Sequence, residues 1–243
     1  ANNNTGVGYF ALVANTTGAN NTAVGQGALV TNSTGSDNVA VGDDALRLNT
    51  GSRNTAVGTD CLDDNTADDN AGVGYRALYQ NTTGQYNAAV GAQSLYNSTT
   101  ANDNTAVGYN ALHNNTTGTR NTSVGYAALD ANTTSTDNTA IGWNALGVNT
   151  AAENTAVGSR SLDANTTGTR NVAMGDLSAS ANTTGNDITA IGWNALRNST
   201  GSENTAVGSR SLDANTSGSA NTAVGDLSLS ANTTGSNSVA IGK

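Results

Sequence analysis

The sequence predicts an all-β fold, a parallel β-solenoid (β-roll) of about fifteen coils of 16–17 residues each. Three observations predict it. A motif of the form Asn-Thr-Ala-Val-Gly recurs from Asn4-Thr5-Gly6-Val7-Gly8 to Ser238-Val239-Ala240-Ile241-Gly242, and its fifteen closing glycines stand 17 residues apart ten times and 16 apart four times. Proline is absent from all 243 residues, which suits a backbone whose N–H groups serve ladders. Thr, Val, Asn and Gly, which recur in every part of the unit, are weak helix formers, and no 3.6-residue period is present. A unit this short cannot bury an apolar face alone, so each copy must lie on its neighbours.

The residue before each repeat glycine is aliphatic in every copy, from Val7 through Ile141 and Met174 to Ile241. Two residues earlier stands Thr, with Val39, Val172 and Val239 as alternates. Strand side chains alternate between faces, so these two columns share one side, and their apolar character predicts that side to be the interior. The column between them is Ala, Gly or Ser throughout and would then face the opposite way. A solvated column tolerates long side chains, and this one has none. Two crowded interior walls would explain that, and so would a close chain-to-chain contact. We expect the contact, formed by Ala23, Ala40, Ala56, Ala89, Ala106, Ala140, Ala156, Ala173, Ala190, Ala206, Ala223 and Ala240.

Glycine at the repeat position suits a sharp bend between elements. Four residues beyond it comes Leu, as in Leu12, Leu29, Leu78 and Leu112, broken only at Ala179. Leu and Val together form the expected dry core. Next comes Asn-Thr-Thr-Gly or a relative of it, as at Asn15–Gly18 and Asn81–Gly84, which reads as a turn. A further Asn opens the repeat in thirteen copies, Ile188 and Ser238 being the exceptions, and stacked Asn side chains can bond from level to level. The predicted coil is two short strands and two turns. Trp143 and Trp193, Ser159 and Ser209, and Asp176 and Asp226 each lie 50 residues apart, so a three-coil block has been duplicated.

The net charge is −9 with 11% charged residues, and Lys and Arg nowhere cluster, which argues against nucleic acid as a partner. No run of 18 or more apolar residues exists, so no membrane-inserted helix is expected. Cys61, the one cysteine, occupies a column that holds Ala11, Ala28, Ala45 and Ala77 elsewhere and reads as a packed substitute for Ala. We expect one repeat domain over residues 1–243, a segment of a longer fibre.

Asn104 to Leu112, Asn-Thr-Ala-Val-Gly-Tyr-Asn-Ala-Leu, resembles the β-roll repeats of bacterial and phage tail-fibre-like proteins. Asn237 to Gly242, Asn-Ser-Val-Ala-Ile-Gly, is similar to the head repeats of trimeric autotransporter adhesins. The resemblance covers the whole chain. It implies a parallel homotrimer displayed outside the cell, on a cell surface or on a virion. Neither terminal repeat reads as a cap, so end-to-end continuation or flanking domains are expected.

Chemistry is sparse. His113 is the only histidine and reads as a solvated turn residue, and no nucleophile has a patterned partner, so no enzyme and no cofactor are expected. Asp60, Asp63, Asp64, Asp68 and Asp69 crowd one coil, as a solvated acidic patch or a weak cation site. The position after the repeat glycine carries Tyr9, Tyr75, Tyr109, Tyr126, Trp143 and Trp193 among Gln26, Asp43 and Ser159, which marks an outward column. Such an edge could stack on surface glycans or a partner protein. The leading expectation is a structural fibre or adhesin shaft. The alternatives are a carbohydrate-binding edge and an ice-binding array formed by Thr5, Thr22, Thr55, Thr105, Thr122, Thr139 and Thr155, the last opposed by their expected inward direction.

Overall fold

In the computed structural model, which describes residues 2–243, every repeat forms one coil of a parallel β-solenoid, with no helix among the described residues. The coils group into two compact units, one up to Asn121 and one from Thr122 onward. The first holds β1 (Thr5–Val7), β2 (Thr22–Val24), β3 (Val39–Val41), β4 (Thr55–Val57), β5 (Ala71–Val73), β6 (Ala88–Val90) and β7 (Thr105–Val107). The second holds β8 (Thr122–Val124), β9 (Thr139–Ile141), β10 (Thr155–Val157), β11 (Val172–Met174), β12 (Thr189–Ile191), β13 (Thr205–Val207), β14 (Thr222–Val224) and β15 (Val239–Ile241). Within each unit consecutive strands pair in parallel and in register, so that Thr5 lies beside Thr22, Gly6 beside Ala23 and Val7 beside Val24. Equivalent residues meet from rung to rung within each unit.

Each coil has one strand, not the two expected. After the strand the chain turns through residues with positive φ: the repeat glycine, the second residue beyond it and the Leu column. Gly58 has φ +137°, and a Cβ added there would lie 2.5 Å from the Gly74 carbonyl oxygen, so the rungs stack too closely for any side chain. Leu62 has φ +53° and Leu78 the same, a left-handed conformation unusual for leucine. Tertiary burial maintains it, since Leu29, Leu46, Leu62, Leu78, Leu95 and Leu112 are fully buried. Burying each such side chain stabilises the fold by about 1.5–3 kcal/mol. The interrung ladder continues through these turns: the Leu29 N–H donates to the Ala45 carbonyl at 3.1 Å, and the Asp44 N–H to the Gln26 carbonyl at 2.8 Å.

The strand faces the other way from the sequence expectation. Ala23, Ala40, Ala56, Ala89 and Ala106 in the first unit, and Ala140, Ala156, Ala173, Ala190, Ala206 and Ala223 in the second, have no exposed surface in the single chain. Ala240, in the last strand, is half-buried. These alanines point into the coil, toward Leu and the small column three residues past the glycine. At Gly6 an added Cβ would stand 3.5 Å from the Ala11 carbonyl oxygen and 3.8 Å from the Leu12 side chain. The restriction to Ala, Gly and Ser therefore reflects the narrowness of the interior. Val and Thr, expected inside, look outward instead.

Two asparagine columns line the rest of the interior. Asn21, Asn38, Asn54, Asn70 and Asn87 are buried, and each side-chain oxygen accepts the backbone N–H of its successor. Asn38 also donates from Nδ2 to the Gly51 carbonyl at 2.9 Å. In the second column, Asn81 Nδ2 donates to Asn65 Oδ1 at 2.7 Å and Asn65 Nδ2 to Asn49 Oδ1 at 2.9 Å. Buried amides are costly if unpaired, and the ladders satisfy most of them from level to level; Asn81 Oδ1 has no partner in the chain, because Ser98 stands where the next Asn would donate. The four short coils all lose the residue after the Thr that follows this second column, at Thr50, Thr66, Thr150 and Thr200, the column holding Ser199 in the last of them.

Candidate functional site

Among the described residues no pocket is formed and no group of three or more His, Cys, Asp or Glu is placed to hold a metal ion. What the coils present is surface, built as columns. The strand face carries two of them. One is aliphatic: Val24 is 36% exposed, Val90 45% and Met174 42%. The other is Thr where it is not Val39, Ala71, Ala88, Val172 or Val239. Neither column contains a charged residue. The objection to the outward reach of Thr5, Thr22, Thr55, Thr105, Thr122, Thr139 and Thr155 thereby falls away, since Thr5 and Thr105 are exposed and the others half-buried.

The column after the glycine borders this face. Tyr9 is 68% exposed, Tyr75 46%, Tyr109 47%, Tyr126 53%, Trp143 53% and Trp193 51%, so the aromatic edge is outward as expected. The strand face is thus uncharged in each unit, and the edge beside it carries these rings among polar residues such as Gln26, Asp43, Ser159 and Asp176.

The five aspartates are largely paired. Asp63 is bound by Arg47 of the preceding coil, Asp60 by Arg76 of the next, and Asp68 and Asp69 by Arg53 of the preceding one. The Arg53 hydrogen bond holds the Asp69 carboxyl below its ordinary range. Partial burial, then the neighbouring Asp63, pushes Asp64 upward. The arginines fall at equivalent or adjacent positions one coil away. Aligning charged residues by column, instead of counting them along one coil, would have revealed the pairs.

The same alignment uncovers a feature the sequence reading missed. The fifth residue after the glycine is Tyr79, Tyr96 and His113 in three consecutive coils. Tyr79 and Tyr96 stack with centroids 5.2 Å apart and planes 15° from parallel, and Tyr96 and His113 stack at 5.1 Å and 10°. The Arg76 guanidinium lies 5.2 Å from the Tyr79 ring centre and 5.0 Å from that of Tyr75. His113 is thus a member of a ring stack, half-buried, with Nδ1 3.2 Å from the Gln93 carbonyl oxygen. It is not the freely solvated turn residue expected.

Cys61 is fully buried, and burial pushes its thiol up to about 12, which leaves it protonated and unreactive in the folded chain. Across the interior it faces Gly72, where an added Cβ would stand 2.6 Å from the Cys61 sulfur. The larger residue in one column is matched by the smaller in the other.

No helix of the described residues is long and apolar enough to cross a membrane. No protein-family model matches the chain, and no curated protein matches it.

Proposed function

We propose that the chain is a structural segment of an extracellular fibre or adhesin shaft, non-enzymatic, assembled from parallel copies that meet through the outward Thr/Val strand face. The observation that carries this reading is the uncharged aliphatic column, which runs over every strand of each unit and is bordered by exposed Tyr and Trp. Contiguous apolar surface of this extent on a soluble protein marks an association surface. Because equivalent residues recur on every rung, parallel copies related by a rotation axis would match Val to Val along the whole face, and such closed symmetry favours a small ring of copies. Three copies is the number implied by the resemblance to autotransporter heads and tail-fibre repeats. The column proposed for the contact is Val24, Val41, Val57, Val90, Val157 and their equivalents, replacing the alanine column expected from sequence.

Native mass spectrometry of the purified chain tests this. A trimer is expected, and Val57→Glu with Val90→Glu should give monomers whose circular dichroism is unchanged. A wild-type chain that stays monomeric at high concentration rejects the assembly.

The aromatic edge supports a second reading, attachment to surface glycans through Trp143 and Trp193, both about half exposed. A glycan array compares the chain with the Trp143→Ala, Trp193→Ala variant, and equal binding by the two rejects the edge as the site. Ice binding by the strand threonines is less well supported. That column is Thr in ten of fifteen strands and shares its face with Val, a composition that suits association.

A further inference from the structure

A second surface is more uniform than the strand face. The eighth residue after the repeat glycine is Thr in thirteen coils and Ser in one, and it is exposed or half-buried in every coil. In the ten long coils the next residue is also Thr or Ser. Neither position holds a charged or aromatic residue in any coil. We infer that this Asn-Thr-Thr-Gly face binds ice.

The geometry behind this is a fixed hydroxyl rank. Thr82 directs both its backbone N–H, at 2.9 Å, and its Oγ1, at 2.8 Å, to the Thr99 carbonyl oxygen of the next rung. Thr66 does the same to Thr82, at 2.9 and 2.6 Å. In the second unit Thr166 does so to Thr183, both at 2.9 Å, and Thr200 to Thr216, at 2.8 and 2.9 Å. Each of these hydroxyl protons is committed to the ladder, so the oxygen is held in one rotamer and presents lone pairs to water, with the Thr methyl beside it. The same bond recurs at Thr16, Thr50, Thr99, Thr150 and Thr216, on rungs about 4.8 Å apart, and is missing at Ser33 and Thr183, where a long coil precedes a short one. Hexagonal ice repeats along its a axis at a closely similar spacing.

The chemistry of the face selects among periodic ligands. A mineral surface calls for rows of charged groups, and there are none. A crystalline polysaccharide calls for aromatic platforms, and these lie in other columns. A small solute has no pocket here. What remains is a neutral lattice whose own hydrogen bonds can be met by fixed hydroxyl oxygens while its cages accommodate methyl groups. The inference does not depend on the assembly proposed above, because the strand face and the Thr-Thr face occupy different columns.

The test uses the full chain, labelled with a fluorophore, in slowly growing ice and in a thermal-hysteresis measurement. The wild type should be incorporated into the ice and shape its crystals. Thr82→Tyr, Thr99→Tyr and Thr166→Tyr together should abolish incorporation. The milder Thr82→Val, Thr99→Val, Thr166→Val set should weaken it, with circular dichroism unchanged. Val57→Lys with Val90→Lys on the strand face should leave incorporation intact. Exclusion of the wild type from ice overturns the inference. So does loss of binding in the strand-face variant with retention in the folded Thr variants, or adsorption to crystalline cellulose in place of ice.

Discussion

Arg47 clamps Asp63 across adjacent coils, with Nε 2.7 Å from Oδ1 and Nη2 2.6 Å from Oδ2. The Asp63 side chain is only 3% exposed, while that of Arg47 is 37% exposed. A planar fork matched to a nearly buried carboxylate is the strongest form of ion pair the surface of this chain offers. Removing the cation leaves the charge stranded. Arg47→Met should destabilise the first unit by about 2–3 kcal/mol, under the range for fully buried pairs because solvent reaches the guanidinium. Arg47→Met combined with Asp63→Leu should recover most of that loss. Urea unfolding followed by circular dichroism measures both, and a single variant as stable as the wild type would show that the pair contributes nothing.

The limits of the sequence reading lie in which side of a column faces inward. Rung spacing, the Leu core, the asparagine ladders and the outward aromatic edge were all legible, because each is a periodic signal in one column. The direction of the strand was not. Val is more apolar than Ala, so hydropathy places Val inside, but the interior beside Leu12 and Ala11 has room only for a methyl group. Width, set by three-dimensional packing, overrode hydropathy. The second strand failed for a related reason: the Leu column looks extended in sequence, yet Leu62 at φ +53° is part of a turn kept in place by its own burial. Tyr79, Tyr96 and His113 escaped notice because their column seems variable over the whole chain, holding Arg47, Asp63 and Asp163 elsewhere. Its order is local, between one rung and the next.

Cys61 and Gly72 form a size-matched pair, and their coupling is measurable. Gly72→Ala would place a Cβ 2.6 Å from the sulfur, so the Cys61 side chain must turn or shift within a close-packed interior. Overpacking of this kind costs about 1–3 kcal/mol. Cys61→Ala removes the sulfur and restores the Ala–Ala arrangement seen at Ala45 and Ala56. The double variant should therefore be more stable than Gly72→Ala alone by most of that amount. A double-mutant cycle from thermal or urea melts gives the coupling directly, and additive effects of the two changes would refute the pairing. The native thiol should also resist a thiol reagent until the chain unfolds.

Acidification should act on the acidic coil in two opposed stages. Asp64 is raised above its ordinary 3.8 by burial and by Asp63, so its charged form is disfavoured in the fold. As pH falls from neutral through that raised value toward 3.8, the folded chain takes up the proton first and gains stability. Asp69 is lowered below 3.8 by its hydrogen bond to Arg53, so its contribution is present above 3.8 and is lost as pH falls further, through the lowered value. Asp64→Asn should therefore stabilise the chain near neutral pH, by less than about 0.5 kcal/mol given its solvent exposure. That gain should vanish below pH 3.8, where wild-type Asp64 is itself protonated in both states. Asp69→Asn should destabilise near neutral pH and become silent only at still lower pH. Thermal melts of the wild type and the two variants across the acidic range report the differences, and a gain for Asp64→Asn that grows as pH falls would reverse the assignment.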